Sequence, residues 1–410
     1  MNKKQIWLKY TGLLCVIVAS LGLLCFLAVK RFLSISYPEL DVHEPVAEEY
    51  PAVDRPVEDD KNAEINPKPP IGEWFKITPE GTESSRGGEW HGLVRLGTEN
   101  KVIVYFFGGG VAVDDFTAAR PYDKSNGFYV ADTKQDYVTK VGIAANSDSN
   151  PFKDWTILAL PYSTGDFHIG NKTIEYEDAE GEKKSIAHKG YANYKAFMNE
   201  AKKYLDEPET LLITGYSAGG FASALLAEHV IENYFPKVEN VTVHVDSALL
   251  LYDKWHEIAV KRWGAPATIT KKLSSDNITL DSLKSLHEKH ANVKILFDCS
   301  LRDGTLSAYQ TYFTSGYKYA GSKEGDSFQN NLKEMVENLQ KDNPKIGIYI
   351  WNSVLHKLKG NLSQHTVIAS PQFYLEKFQG NPTMAKWIED AVYGEINSYG
   401  LELLEENEEE

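Results

Sequence analysis

Residues 210–222 read TLLITGYSAGGFA. The first five are apolar or β-branched without alternation, the pattern of a strand buried on both faces. Gly215-Tyr216-Ser217-Ala218-Gly219 follows, a G-x-S-x-G, and then the helix-like GFASALLAEHVIENYF (220–235). A serine on such a strand-to-helix turn is forced outward with its Oγ exposed. The glycines avoid collision with the neighbouring strand and helix, and the helix N-terminus aims partial positive charge at the serine. The same strand signature recurs in KVIVYFFGGG (101–110), WTILALPYSTGD (155–166), VTVHVDSALL (241–250), VKILFDCSLRDG (293–304) and IGIYIWNS (346–353). Helix-like segments at 194–207, 280–290 and 328–342 lie between them. Strand, helix, strand in repeated order predicts an α/β domain, a mostly parallel sheet with helices on both faces. GEWHGLVRLGT (88–98) adds an antiparallel edge strand.

The chain has 410 residues, 42% hydrophobic and 25% charged, which excludes a disordered, collagenous or low-complexity protein. A net charge of −15 makes the chain a poor candidate for binding nucleic acid or an anionic membrane through a basic surface. Three cysteines exclude a disulfide scaffold; Cys299 stands alone outside the N-terminal apolar stretch. That stretch, residues 10–29, is uncharged and, at about 1.5 Å per residue, long enough to span a bilayer as a helix. Lysines precede it in the short segment 1–9 and acidic residues follow, which predicts a signal anchor with a cytoplasmic N-terminus and an extracytoplasmic domain. A cleaved signal peptide is the alternative, and either reading places the rest of the chain outside the cytosol, at the cell surface or in the secretory lumen. Residues 30–70, rich in Pro and Glu, read as an extended acidic linker, 71–403 as one domain, and 404–410 as an acidic tail.

A serine hydroxyl is a weak nucleophile and needs a general base oriented by a carboxylate. The chain order for a serine on this turn is Ser, acid, His. Of the histidines, only His356 and His365 follow VKILFDCSL, the strand whose end carries the acid. Asp303 occupies a turn after that strand, and Asp298, within the apolar run, is its rival. His365 lies in a polar SQHT loop, whereas His356 sits between Leu355 and Lys357. The oxyanion of the attacked ester needs backbone N–H donors placed in advance. Ala218 supplies one, and the glycine run before Val111 supplies others, from Gly110 and Val111.

These residues together resemble the pectin acetylesterase/Notum family of serine esterases, of the α/β-hydrolase superfamily. The matching stretches are FFGGGVAVDDF (106–116), NPFKDWTILALPYSTGDFHIGN (150–171), GYSAGGFA (215–222), the Asp303 turn and SQHT (363–366), spread over most of 75–395. The resemblance implies an α/β-hydrolase fold, a triad of Ser217, Asp303 and His365, oxyanion donors at Gly110, Val111 and Ala218, and hydrolysis of O-acyl esters. Val111-Ala112-Val113 stands where the family often carries Trp and Cys. The implied substrate is an O-acetylated polysaccharide. The alternatives are a longer acyl chain on a lipid or protein, or a non-catalytic binding protein on the same fold.

Asp166 and His168, after PYSTG, either bind polar groups of the substrate or cap loops. Asp246 and Ser247 end another strand, in a supporting role or as an alternative acid, and His244 reads as an ordinary strand residue. His287 and His290 lack further ligands for zinc. Sequons at Asn171, Asn240, Asn277 and Asn361 matter only in a glycosylating host. No dinucleotide fingerprint or P-loop occurs, so no cofactor and no metal are expected.

Overall fold

The six apolar runs form six neighbouring parallel strands. The computed structural model describes residues 69–122, 127–133, 135–178, 181–353 and 360–405. The strands are β1 Trp74–Ile77, β2 Gly92–Arg95, β3 Lys101–Phe106, β4 Thr156–Leu160, β5 Lys172–Glu177, β6 Lys183–His188, β7 Thr210–Tyr216, β8 Asn240–Asp246, β9 Lys294–Ser300 and β10 Gly347–Trp351. Eight of them make one sheet, ordered β1-β2-β4-β3-β7-β8-β9-β10. From β4 to β10 all pairings are parallel, and β1 and β2 close the other edge antiparallel. All residues of β4, β7 and β10 are buried, which is why these strands read as unbroken apolar runs.

The chain runs from β3 to β4 on one side, then crosses back to β7 on the other side of β3. That reversal opens a crevice at the carboxyl ends of β3 and β7, where α/β sheets bind ligands. It brings the glycine run after β3 beside the serine after β7.

The main helices are α1 Gly190–Ala201, α2 Ala218–Tyr234, α3 Ile278–Lys289, α4 Gly304–Ser315, α5 Ser322–Asp342 and α6 Met384–Val392. Helix α2 is buried along most of its length, so its apolar residues surround it rather than forming a stripe. The first helix begins at Gly190, earlier than the apolar periodicity from 194 suggests, and ends at Ala201 rather than at 207.

Two features depart from the sequence reading. Strands β5 and β6 pair with each other in a separate antiparallel two-stranded sheet, with every residue of β5 exposed or half-buried. At the other end, Leu403 and Leu404 are buried and Glu405 pairs with Lys333 at 2.6 Å. Residue 404 therefore belongs to the packed domain rather than to the acidic tail. The anticipated anchor at 10–29, nearly all of the linker 30–70 and the tail residues 406–410 lie outside the described residues. Among the described residues, no helix is long and apolar enough to cross a membrane.

Candidate active site

Ser217 sits between β7 and α2 with φ 55° and ψ −123°, a conformation a non-glycine residue rarely holds. Close packing makes the turn possible. A Cβ on Gly215 would come within 2.2 Å of the Gly219 carbonyl oxygen, and one on Gly219 within 2.0 Å of that of Phe106. A Cβ on Gly108 would lie 2.8 Å from Ser217 Cβ, so the glycine run after β3 touches the serine turn.

The acid and base come from the turn after β9 and the loop after β10. Asp303 is fully buried, and its Oδ2 pairs with His365 Nδ1 at 2.6 Å. Its Oδ1 accepts the N–H groups of Thr305 and Leu306, both at 2.9 Å, and caps α4. The carboxylate is thus fixed at both oxygens. Burial pulls the His365 imidazole down, but the facing Asp303, by charge and hydrogen bond, and Asp246 outweigh it, and the net shift is upward. With Nδ1–H directed at Asp303, Nε2 is the proton acceptor. Nε2 is buried and has no partner among the described residues, so no hydrogen bond to Ser217 is closed in this structure. Such bonds often tighten only when substrate binds.

Asp298, the rival acid, is committed elsewhere. Its Oδ1 meets His244 Nε2 at 2.8 Å, and its Oδ2 accepts the Trp351 indole N–H at 2.9 Å. His244 Nδ1 continues this buried chain to Thr214 Oγ1 at 2.8 Å. His244 is therefore more than an ordinary strand residue. His356 lies outside the described residues.

Three amides were expected to face the oxyanion. Gly110, Val111, Ser217 and Ala218 line one cavity, with Phe167, Phe221, Leu250 and Tyr309 among its walls. Gly110 has φ 76°, and this turn sends the next amide away: Val111 N–H donates to the Phe128 carbonyl at 2.8 Å. Val111 is therefore a wall rather than a donor here. Ala218, as the first residue of α2, has no carbonyl within its own helix to bond, and Gly110 N–H has no backbone acceptor among the described residues.

Asp166 and His168 do not reach the cavity as substrate ligands. Asp166 is fully buried, accepting from Thr164 Oγ1 at 2.6 Å, His168 N–H at 3.1 Å and Gly190 N–H at 2.9 Å. Burial raises its carboxyl to about 6 despite these bonds. His168 Nε2 meets the Phe107 carbonyl at 2.9 Å, and burial lowers the imidazole to about 4, so it stays neutral and donates. The pair ties the glycine run to the start of α1; of the two readings of these residues, loop capping holds. Among the described residues, no group of three or more His, Cys, Asp or Glu side chains is placed to hold a metal ion.

Sequence reasoning left the role of Asp246 open. Its carbonyl accepts the Ser217 N–H at 2.9 Å, and its Oδ2 accepts the N–H groups of Val367 and Ile368, each at 2.9 Å. Its position at a strand end beside the serine strand was the available signal. Its side-chain partners lie 121 and 122 residues away, beyond the reach of any local pattern.

Residues 95–260 match the protein-family model described as pectinacetylesterase. The match covers the glycine run, the 150–171 block and the Ser217 turn, and stops before Asp303 and His365. A comparison with curated proteins finds no match for the chain.

Proposed function

We propose, on the premise that this chain is an acetylesterase-like hydrolase of the pectinacetylesterase family over residues 95–260, that it is a serine esterase removing short O-acyl groups, acetyl foremost, from a polysaccharide outside the cytosol. The observation that carries the reading is the Asp303–His365 pair, 2.6 Å between Oδ2 and Nδ1, at the sheet edge that presents Ser217. His365 Nε2 takes the proton as Ser217 Oγ attacks the ester carbonyl. Asp303 holds the imidazole tautomer and stabilises the imidazolium. The amides of Gly110 and Ala218 receive the oxyanion. The alcohol leaves with the His365 proton, and water activated by the same imidazole hydrolyses the acyl-enzyme.

The cavity at Ser217 favours a short acyl group. It measures about 10 Å³ with apolar walls, far below the roughly 300–1,000 Å³ of sites for drug-sized ligands. A wider open cleft of about 620 Å³ runs between Arg86, Tyr129 and the β5–β6 hairpin with Tyr176, Lys183 and Lys184. Its volume suits a polymer, while the chemistry belongs to the small cavity. The N-terminal apolar segment 10–29 is proposed to hold the enzyme on the outer face of a membrane.

Purified full-length protein should hydrolyse p-nitrophenyl acetate and butyrate, with kcat/KM falling steeply by octanoate. A maximum at octanoate or beyond would overturn the short-acyl reading. Absence of turnover with every ester, together with no labelling by a fluorophosphonate, would overturn the esterase reading itself.

A further inference from the structure

We propose that Asp246 is a positioning residue for His365: its carboxylate clamps the segment that carries the imidazole to the strand edge that carries Ser217. The proposal rests on the serine-esterase reading. Asp246 ends β8, the strand between β7 and β9, and is fully buried. Its main chain holds the Ser217 N–H, and its side chain holds two amides just beyond His365. One residue thus sets the spacing between nucleophile and base, through hydrogen bonds that gain strength when the acceptor is ionised.

The clamped segment is strained. Thr366, next to His365, has φ 60°, an outlier for a β-branched side chain. Such a conformation persists only where the surroundings over-determine it. Upstream, Ser363 N–H donates to the Arg302 carbonyl at 2.9 Å, and Gly304 N–H donates to the Ser363 carbonyl at 3.2 Å. Downstream lie the two bonds to Asp246, with Ile143 N–H donating to the Ile368 carbonyl at 2.9 Å. His365 is stretched between these anchors. Cutting the downstream one lets Thr366 relax and swings Nε2 away from Ser217, even with Asp303 in place.

Stability does not explain the carboxylate. Asp246 Oδ1 is buried without a partner among the described residues, and an ionised group there costs folding energy. Burial first, then Asp298 on β9, push its carboxyl up to about 7; the amides of Ile368 and Val367 and the nearby His244 pull the other way. The phenols of Tyr105 on β3 and Tyr216 on β7 and the thiol of Cys299 on β9 also face it, and His365 is faced by Asp303 as well. The clamp is therefore fully ionised only above neutrality.

The test is Asp246→Asn in the full chain, an isosteric change that removes the charge and the cost of burying it. The melting temperature at pH 8 should hold or rise. In contrast, kcat for p-nitrophenyl acetate should fall about ten-fold, because the carboxamide oxygen keeps the two amide bonds only in their weaker, uncharged form, with KM little changed. The low-pH limb of the rate profile should move to lower pH, because a negative charge facing His365 is gone. Adding Thr366→Gly should restore part of kcat, since glycine holds a positive φ without strain. Wild-type kcat in Asp246→Asn overturns the proposal, as does a loss that Thr366→Gly does not relieve and no pH shift accompanies. NMR titration of the His365 imidazole reads the same shift without turnover. A wild type that is inactive yet shows that shift on Asp246→Asn sinks the esterase reading and leaves the clamp standing.

Discussion

Ser217→Ala is expected to lower kcat for p-nitrophenyl acetate by roughly 10⁴- to 10⁶-fold, the range found when a triad nucleophile is removed, and to abolish fluorophosphonate labelling. The fold should hardly notice. Alanine meets the same steric conflict at φ 55° as serine, so the strain is unchanged. The bonds that secure the turn are main-chain ones: Ser217 N–H to the Asp246 carbonyl at 2.9 Å, and Phe221 N–H to the Ser217 carbonyl at 3.0 Å. Neither involves the hydroxyl. The Cβ that rests against Gly108 also remains. A melting temperature within a degree or two of wild type, with turnover gone, is therefore the outcome that identifies a nucleophile. Turnover that survives the substitution would move the chemistry away from this turn altogether.

The same physics decides what the sequence could reveal. The strands β3, β4 and β7 to β10 were legible because burial on both faces leaves a short unbroken apolar run, bounded here by turn residues. Ser217 was legible because its glycines answer to neighbours within a few residues and to the preceding strand. Asp303 and His365 followed from chain order, and the structure brings their side chains together. The β5–β6 hairpin was missed because its exposed residues are charged, so KTIEYEDAEGEKKSIAH looks like a solvated loop. Its alternating Ile174, Tyr176 and Ile186 were the weak available signal. Asp166 and His168 resembled site residues because they follow a strand end, yet their side chains turn inward to bind loop amides and carbonyls. Position along a strand tells which edge a residue reaches, not which way it faces. The fate of the Val111 amide depends on Phe128, whose approach is a tertiary event. The clamp from Asp246 to Val367 and Ile368 is tertiary in the same sense.

Asp303→Asn is the second substitution with a large expected effect, and its geometry makes the outcome specific. The wild-type carboxylate uses Oδ1 for the N–H groups of Thr305 and Leu306 and Oδ2 for His365 Nδ1. A carboxamide has one oxygen. Kept on the helix cap, where asparagine serves about as well as aspartate, it turns the NH₂ toward His365. The imidazole then accepts at Nδ1 and carries its proton on Nε2, the tautomer that cannot take the Ser217 proton. The expected loss in kcat is about 10⁴-fold, as for a wrong tautomer in an otherwise intact triad. The pH dependence should change as well. Asp303 is the largest influence holding the His365 imidazole above its ordinary value against the pull of burial, so the residual activity should persist to lower pH than in wild type. Stability follows the same linkage. An imidazole whose folded value is raised stabilises the fold fully below its unfolded value of about 6.5, and this contribution fades as pH rises through the folded value. The drop in melting temperature caused by Asp303→Asn should therefore be larger at pH 5.5 than at pH 9. An equal drop at both, or a low-pH limb that stays in place, would mean that Asp303 serves α4 as a cap and not His365 as its partner.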